Sequence, residues 1–108
     1  MAELFDTPRK RLVIVSGRSH PELAEQVAKE LDVEVLPTTI YDFASGEIYV
    51  RYNESVRGCD VFCIQSISGN VSKWLMEHFI MIDALKRASS KRITVVAGSY
   101  THLTLPTT

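Results

Sequence analysis

Two hydrophobic rhythms alternate along these 108 residues. Leu12-Val13-Ile14-Val15 is an unbroken apolar run, the pattern of a strand covered on both faces in a parallel sheet. Ser16-Gly17-Arg18-Ser19 then turns the chain. Ser19 and Glu22 have capping-box spacing with Pro21 in the first turn, so a helix is expected from about 20 to 31. Leu23, Val27 and Leu31 fall on one face of it. Val33–Leu36 reads as a short strand that Pro37 ends or edges, and Thr38–Phe43 as a second extended piece. From 47 to 52, Glu47, Tyr49 and Arg51 alternate with Ile48, Val50 and Tyr52. That period of two predicts a half-exposed strand antiparallel to a neighbour. Val61–Gln65 and Ile93–Ala97 are further buried strands. Between them, Ser66–Asn70 carries helix-start chemistry and a long apolar helix runs from about 71 to 88. Strand, helix and strand in alternation argue an open α/β sandwich.

The long helix carries a stripe of Val71, Leu75, His78, Ile82 and Leu85. Trp74, Met76, Phe79, Ile80 and Met81 widen it almost to the full circumference. Such a helix is covered by more than its own sheet: by other parts of the chain or by another subunit. A core histidine with its hydrogen bonds satisfied is the plainer account of His78.

Composition narrows the class. The chain has room for one domain with a modest core. Hydrophobic residues make up 45% and charged residues 23%, with a formal net charge of −1. No global field draws it to nucleic acid or a membrane surface, and no apolar run approaches the ~20 residues of a membrane span. Residues 1–10 lack an apolar signal core and read as a leader, which points to the cytoplasm. Arg9-Lys10-Arg11 reads as a solvated edge. Cys59 and Cys63 share one strand face, too far apart along it for a disulfide. They are expected to be buried thiols and make a poor zinc site.

Chemistry concentrates in Asp42-Phe-Ala-Ser-Gly-Glu-Ile-Tyr-Val-Arg51 and the turn Glu54-Ser-Val-Arg-Gly58 that follows. An aromatic, a hydroxyl, a glycine and a carboxylate in five residues exceed what packing requires. Arg57 offers a fork of donors matched to phosphate oxygens. Neither Gly-x-Gly-x-x-Gly nor a Walker lysine occurs, so Rossmann and P-loop readings fail. A receiver domain needs acidic residues where Ser16-Gly17-Arg18 stands.

These pieces, with Ser16-Gly-Arg-Ser-His-Pro-Glu-Leu23, Ile64-Gln-Ser66, Trp74-Leu-Met-Glu77, Met81-Ile-Asp-Ala-Leu-Lys-Arg-Ala88 and Lys91-Arg-Ile-Thr-Val-Val96, stand in an order and spacing that resembles the N-terminal part of ribose-phosphate pyrophosphokinases. The resemblance implies a phosphoribosyltransferase-like three-layer α/β sandwich with a mainly parallel sheet, here a truncated N-terminal domain over 11–97. It implies transfer of the β,γ-diphosphate of ATP to ribose 5-phosphate, giving phosphoribosyl pyrophosphate and AMP for nucleotide biosynthesis. It also implies a homo-oligomer, a hexamer, whose sites lie between domains and take in a loop from a neighbouring subunit. In that loop Phe43, Ser45 and Glu47 would receive the adenine of ATP. Ser45 stands where the family commonly has Asn, and one hydroxyl grips a base with fewer hydrogen bonds. Ser55, Arg57 and Ser89 would help bind inorganic phosphate or ADP as regulators. Magnesium is expected with its ligands outside this chain, and no catalytic residue is assigned within it. Residues 98–108 depart from the family's pattern, and His102 takes no metal role from it. By itself the chain is expected to be inactive. The alternative is a non-catalytic interaction or regulatory module of a synthetase assembly.

Overall fold

A computed structural model describes residues 11–98. The expected leader at 1–10 and the tail beyond Gly98 lie outside the described residues. Three strands, β1 (Leu12–Ser16), β4 (Asp60–Ser66) and β5 (Arg92–Gly98), form a parallel sheet in the order β1-β4-β5. β2 (Thr38–Asp42) and β3 (Ile48–Tyr52) pair antiparallel as a separate hairpin. Helix α1 (Pro21–Leu31) follows β1, and α2 (Val71–Arg87) joins β4 to β5.

The two crossovers leave the sheet in opposite directions. After α1 the chain returns beside β1, where Val35 makes a single parallel bridge to Ile14. After α2 it returns beside β4 as β5. Right-handed crossovers running in opposite senses place their helices on opposite faces. Ile14, Ile64 and Val96 accordingly pack with Ala24 and Ala28 of α1 on one side. Val13, Val15, Val61 and Cys63 pack with Met81 and Leu85 of α2 on the other, where Ile40, Val50 and Tyr52 of the hairpin join them. Both faces of β1 are covered, as its continuous apolar run requires. The result is the expected three-layer α/β sandwich with a parallel sheet.

Four local expectations are corrected. Val33–Leu36 contributes one bridge rather than a strand, because Pro37 removes the next donor and Leu36 N–H already donates to Ile14 O (2.7 Å). Helix α1 is capped by His20, whose Nδ1 accepts from Leu23 N–H (3.1 Å), and not by Ser19. The Ser19 hydroxyl is engaged elsewhere, donating to Gln65 Oε1 at 2.6 Å. Strand β5 runs one residue past the expected Ala97, because Gly98 pairs with Ser66 and accepts from Ile67 N–H (2.6 Å). Finally, the buried stripe of α2 is Glu77, His78, Met81 and Leu85, whereas Val71 and Leu75 are exposed. Cys59 and Cys63 are free and buried, as expected.

His78 is the satisfied core histidine that its place on the helix implied. Its Nε2 lies 2.9 Å from Cys63 O, and a carbonyl can only accept, so Nε2 carries the proton. Burial lowers its pKa, partly offset by that hydrogen bond and by the charge of Glu77. Burial pushes the Cys63 thiol up to about 12.

Candidate functional site

Three places hold chemistry that packing does not consume. The first is the turn of the hairpin. Phe43 N–H donates to Glu47 O (2.7 Å) and Gly46 N–H to Phe43 O (2.8 Å). Gly46 has φ 94°, a left-handed conformation that favours glycine, so the five-residue turn closes there. Phe43 is 44% exposed. Its ring is braced edge-on by Tyr41 at 5.2 Å and Tyr49 at 6.0 Å, and these two tyrosines are 5.0 Å apart. An aromatic cluster thus holds Phe43 against its own hairpin rather than in the domain core, with much of the ring open to solvent. Ser45 and Glu47 are exposed on the same turn. The fold therefore groups Phe43, Ser45 and Glu47 on one exposed turn.

The second place is the end of α2. Ser55 Oγ accepts from Arg57 N–H (3.3 Å), and Gly58 N–H donates to Ser89 O (2.9 Å). Ser89 sits at φ 65°, a left-handed turn that ends the helix. Residues thirty-one positions apart in sequence thus meet. Ser55 lines a cleft of about 690 Å³ with Asn53, Arg87 and Ala88, between the hairpin and the last turn of α2. Arg57 is exposed beside it. The three residues Ser55, Arg57 and Ser89 are brought to one end of the domain.

The third place carries no site assignment from sequence. At the C-terminal ends of β1 and β4, where the two crossovers diverge, a ligand crevice is expected in open α/β sheets. Here it holds a network of charge. Glu77 is fully buried. Its carboxylate accepts from Arg18 N–H (2.8 Å), Arg18 Nε (2.8 Å) and Gln65 Nε2 (3.0 Å), and lies 2.7 Å from Arg18 Nη2. Arg18 Nη2 also donates to Asp42 Oδ1 (2.8 Å), while Lys73 Nζ is 3.7 Å from Asp42 Oδ2. Gln65 Oε1 accepts from Ser19. The Gln65 amide lies against Gly17 where any Cβ would stand, so a larger residue there must displace that amide from its hydrogen bonds to Ser19 and Glu77. The Arg18 hydrogen bond holds the Asp42 carboxyl below its ordinary range, against a smaller opposing effect of desolvation. For Arg18, desolvation lowers the pKa, but the bonds to Asp42 and Glu77 carry the balance upward. The signal for this network was present in sequence: a carboxylate on an otherwise apolar helix face must meet a cation. Which cation it meets depends on the fold.

Among the described residues no three His, Cys, Asp or Glu side chains gather as a metal site, and no helix is long and apolar enough to cross a membrane.

Comparison with known proteins bears on the family of the chain. The family model for the N-terminal domain of ribose phosphate pyrophosphokinase matches residues 12–103. A ribose-phosphate pyrophosphokinase of Streptomyces coelicolor is 56% identical over 100 residues, covering 93% of this chain and 31% of the relative. That of Mycobacterium tuberculosis (strain H37Rv) is 62% identical over 92 residues, covering 85% and 28%. The crystal structure of phosphoribosylpyrophosphate synthetase from Mycobacterium smegmatis superposes with a TM-score of 0.78 at 61% identity, over 82% of this chain and 30% of that one. A hypoxanthine phosphoribosyltransferase from Staphylococcus aureus, at 16% identity and a TM-score of 0.58 over 82% of this chain and 51% of its own, shares the fold alone. The chain spans under a third of the length of the two curated relatives named here.

Proposed function

Because the chain belongs to the family of ribose-phosphate pyrophosphokinase N-terminal domains, we propose that it supplies the nucleotide-contacting and regulatory part of a ribose-phosphate diphosphokinase. In the reaction proposed for the whole enzyme, the anomeric hydroxyl of ribose 5-phosphate attacks the β-phosphorus of ATP. The bond between the bridging oxygen and the β-phosphorus breaks, the hydroxyl proton is released, and AMP leaves with that oxygen. The product, phosphoribosyl pyrophosphate, feeds nucleotide biosynthesis in the cytoplasm. Magnesium belongs to the same proposal, but the described residues assemble no group to hold it, so no step is assigned to it here.

One observation carries this reading. The hairpin turn presents an aromatic face, a hydroxyl and a carboxylate together, outside the core. An aromatic face takes a purine ring at low entropic cost. The Glu47 carboxylate can accept from the exocyclic amine of adenine but would repel phosphate. Following the family resemblance, the purine it meets is assigned to a neighbouring subunit's site. Exposed Met76 (54%) and Phe79 (57%) on α2 support homo-oligomerisation, for which a hexamer is the proposed state. Ser55, Arg57 and Ser89 are proposed to receive inorganic phosphate or ADP, since the hydrogen bonds from Arg57 N–H to Ser55 Oγ and from Gly58 N–H to Ser89 O bring the three residues to one end of the domain, where Ser55 lines the cleft.

The test is a chimera with residues 12–103 in place of the matching segment of the Mycobacterium smegmatis synthetase. It should form AMP from ATP and ribose 5-phosphate. Phe43→Ala should raise KM for ATP about tenfold, from loss of one stacked base. A KM for ATP untouched by both Phe43→Ala and Glu47→Gln would refute the purine role.

A further inference from the structure

The hairpin is not hydrogen-bonded into the parallel sheet, and a two-stranded hairpin is marginal by itself. Its end far from the turn is anchored: Leu36 N–H donates to Ile14 O (2.7 Å) and the Tyr52 hydroxyl to Met81 O (2.7 Å). At the turn end the anchoring residue is Asp42, immediately before Phe43. Asp42 is gripped by Arg18 Nη2 at 2.8 Å. That same nitrogen lies 2.7 Å from the sealed carboxylate of Glu77, which also binds Nε and the backbone N–H of Arg18. Three contacts to one fixed carboxylate leave the guanidinium little freedom. Lys73 is a weaker candidate: its nitrogen stands 3.7 Å from Asp42 and also lies 5.0 Å from the Trp74 ring centroid.

We propose that Arg18 is a positioning residue for the turn at 43–47, a strut running from buried Glu77 of α2 to Asp42 at the root of the hairpin turn. Its functional meaning rests on the purine reading of that turn. The strut makes the donated loop answer to the strand-end crevice of its own subunit. Movement of the β1–α1 loop, or of α2 at Glu77, would be transmitted to Phe43 through Arg18 and a single exposed carboxylate.

The experiment is amide hydrogen exchange by NMR on the full chain, read at Phe43 and Gly46, with the ring-shifted Phe43 protons as a second signal. Asp42→Ala cuts the strut without uncovering Glu77. It should speed exchange at those two amides about fivefold, the scale of one partly exposed charged contact, and leave β1 and β4 protected. Arg18→Lys should reproduce the effect, because an ammonium cannot serve both carboxylates as a fork does. Lys73→Met should leave the turn close to the parent. Unchanged exchange at Phe43 and Gly46 in Asp42→Ala would overturn the proposal. So would an equal effect from Lys73→Met, or loss of protection spread evenly over β1, β4 and β5. The KM of the chimera decides the purine reading separately. A turn that loosens in Asp42→Ala while Phe43→Ala leaves KM unmoved would keep the strut and discard the adenine contact.

Discussion

Substituting Arg18 by Met tests the charge network most directly. Glu77 has no solvent-accessible side-chain surface, whereas the Arg18 side chain is 31% exposed. Removing the guanidinium leaves the carboxylate with Gln65 Nε2 and the Arg18-position backbone N–H, and with no cation in contact. Breaking a buried ion pair by deleting one member costs roughly 3–5 kcal/mol. Partial exposure of Arg18 and the two surviving hydrogen bonds favour the lower end, about 3 kcal/mol. For a domain of this size that corresponds to a fall in midpoint of roughly 12–24 °C. Urea unfolding of the full chain, followed by circular dichroism, reads the change. The companion variant Arg18→Met/Glu77→Leu removes both charges and offers the core an apolar side chain. It should recover most of the loss, since an apolar pair of similar volume often equals or exceeds a buried ion pair. If the double variant is no more stable than Arg18→Met, an uncompensated buried carboxylate is not the cause and the reasoning fails.

Met81 is fully buried between the sheet and the hairpin, so Met81→Ala should cost about 3 kcal/mol in the same unfolding assay. Gly17→Ala should destabilise by about 2 kcal/mol, because the new Cβ collides with the Gln65 amide; chemical shifts of the Gln65 side-chain amide should report the displacement. Burial lowers the pKa of His78 in the fold. The unfolded chain therefore binds a proton first as pH falls through about 6.5, and folded stability drops from there down to the lowered folded value. His78→Gln should remove that part of the pH slope in urea titrations. The Cys63 thiol, raised to about 12 by burial, should react with iodoacetamide at pH 8 only at the rate of opening or unfolding; rapid alkylation of the folded chain would contradict the packing.

Periodicity made the layers legible. A short, β-branched apolar run bounded by turn residues reads as a strand covered twice, and the period-two stretch at 47–52 as a half-exposed one, so β1, β4, β5 and the hairpin follow from pattern. The turn at 43–47 was legible for a related reason: its glycine, aromatic and carboxylate lie within five residues, and local geometry alone gathers them. The capping of α1 was not legible, because Ser19 suits the cap as well as His20 does and Gln65, forty-six residues away, draws its hydroxyl aside. Nor was the buried face of α2. Apolar residues surround that helix almost completely, so hydropathy does not choose a face. The sheet chose Met81 and Leu85, together with a histidine and a carboxylate, and left Phe79 outside. Only the packed tertiary structure decides that Glu77 meets Arg18 and that Arg18 reaches Asp42. Buried charge demands a partner whatever the order of residues, but the right-handed crossovers determine which cation arrives.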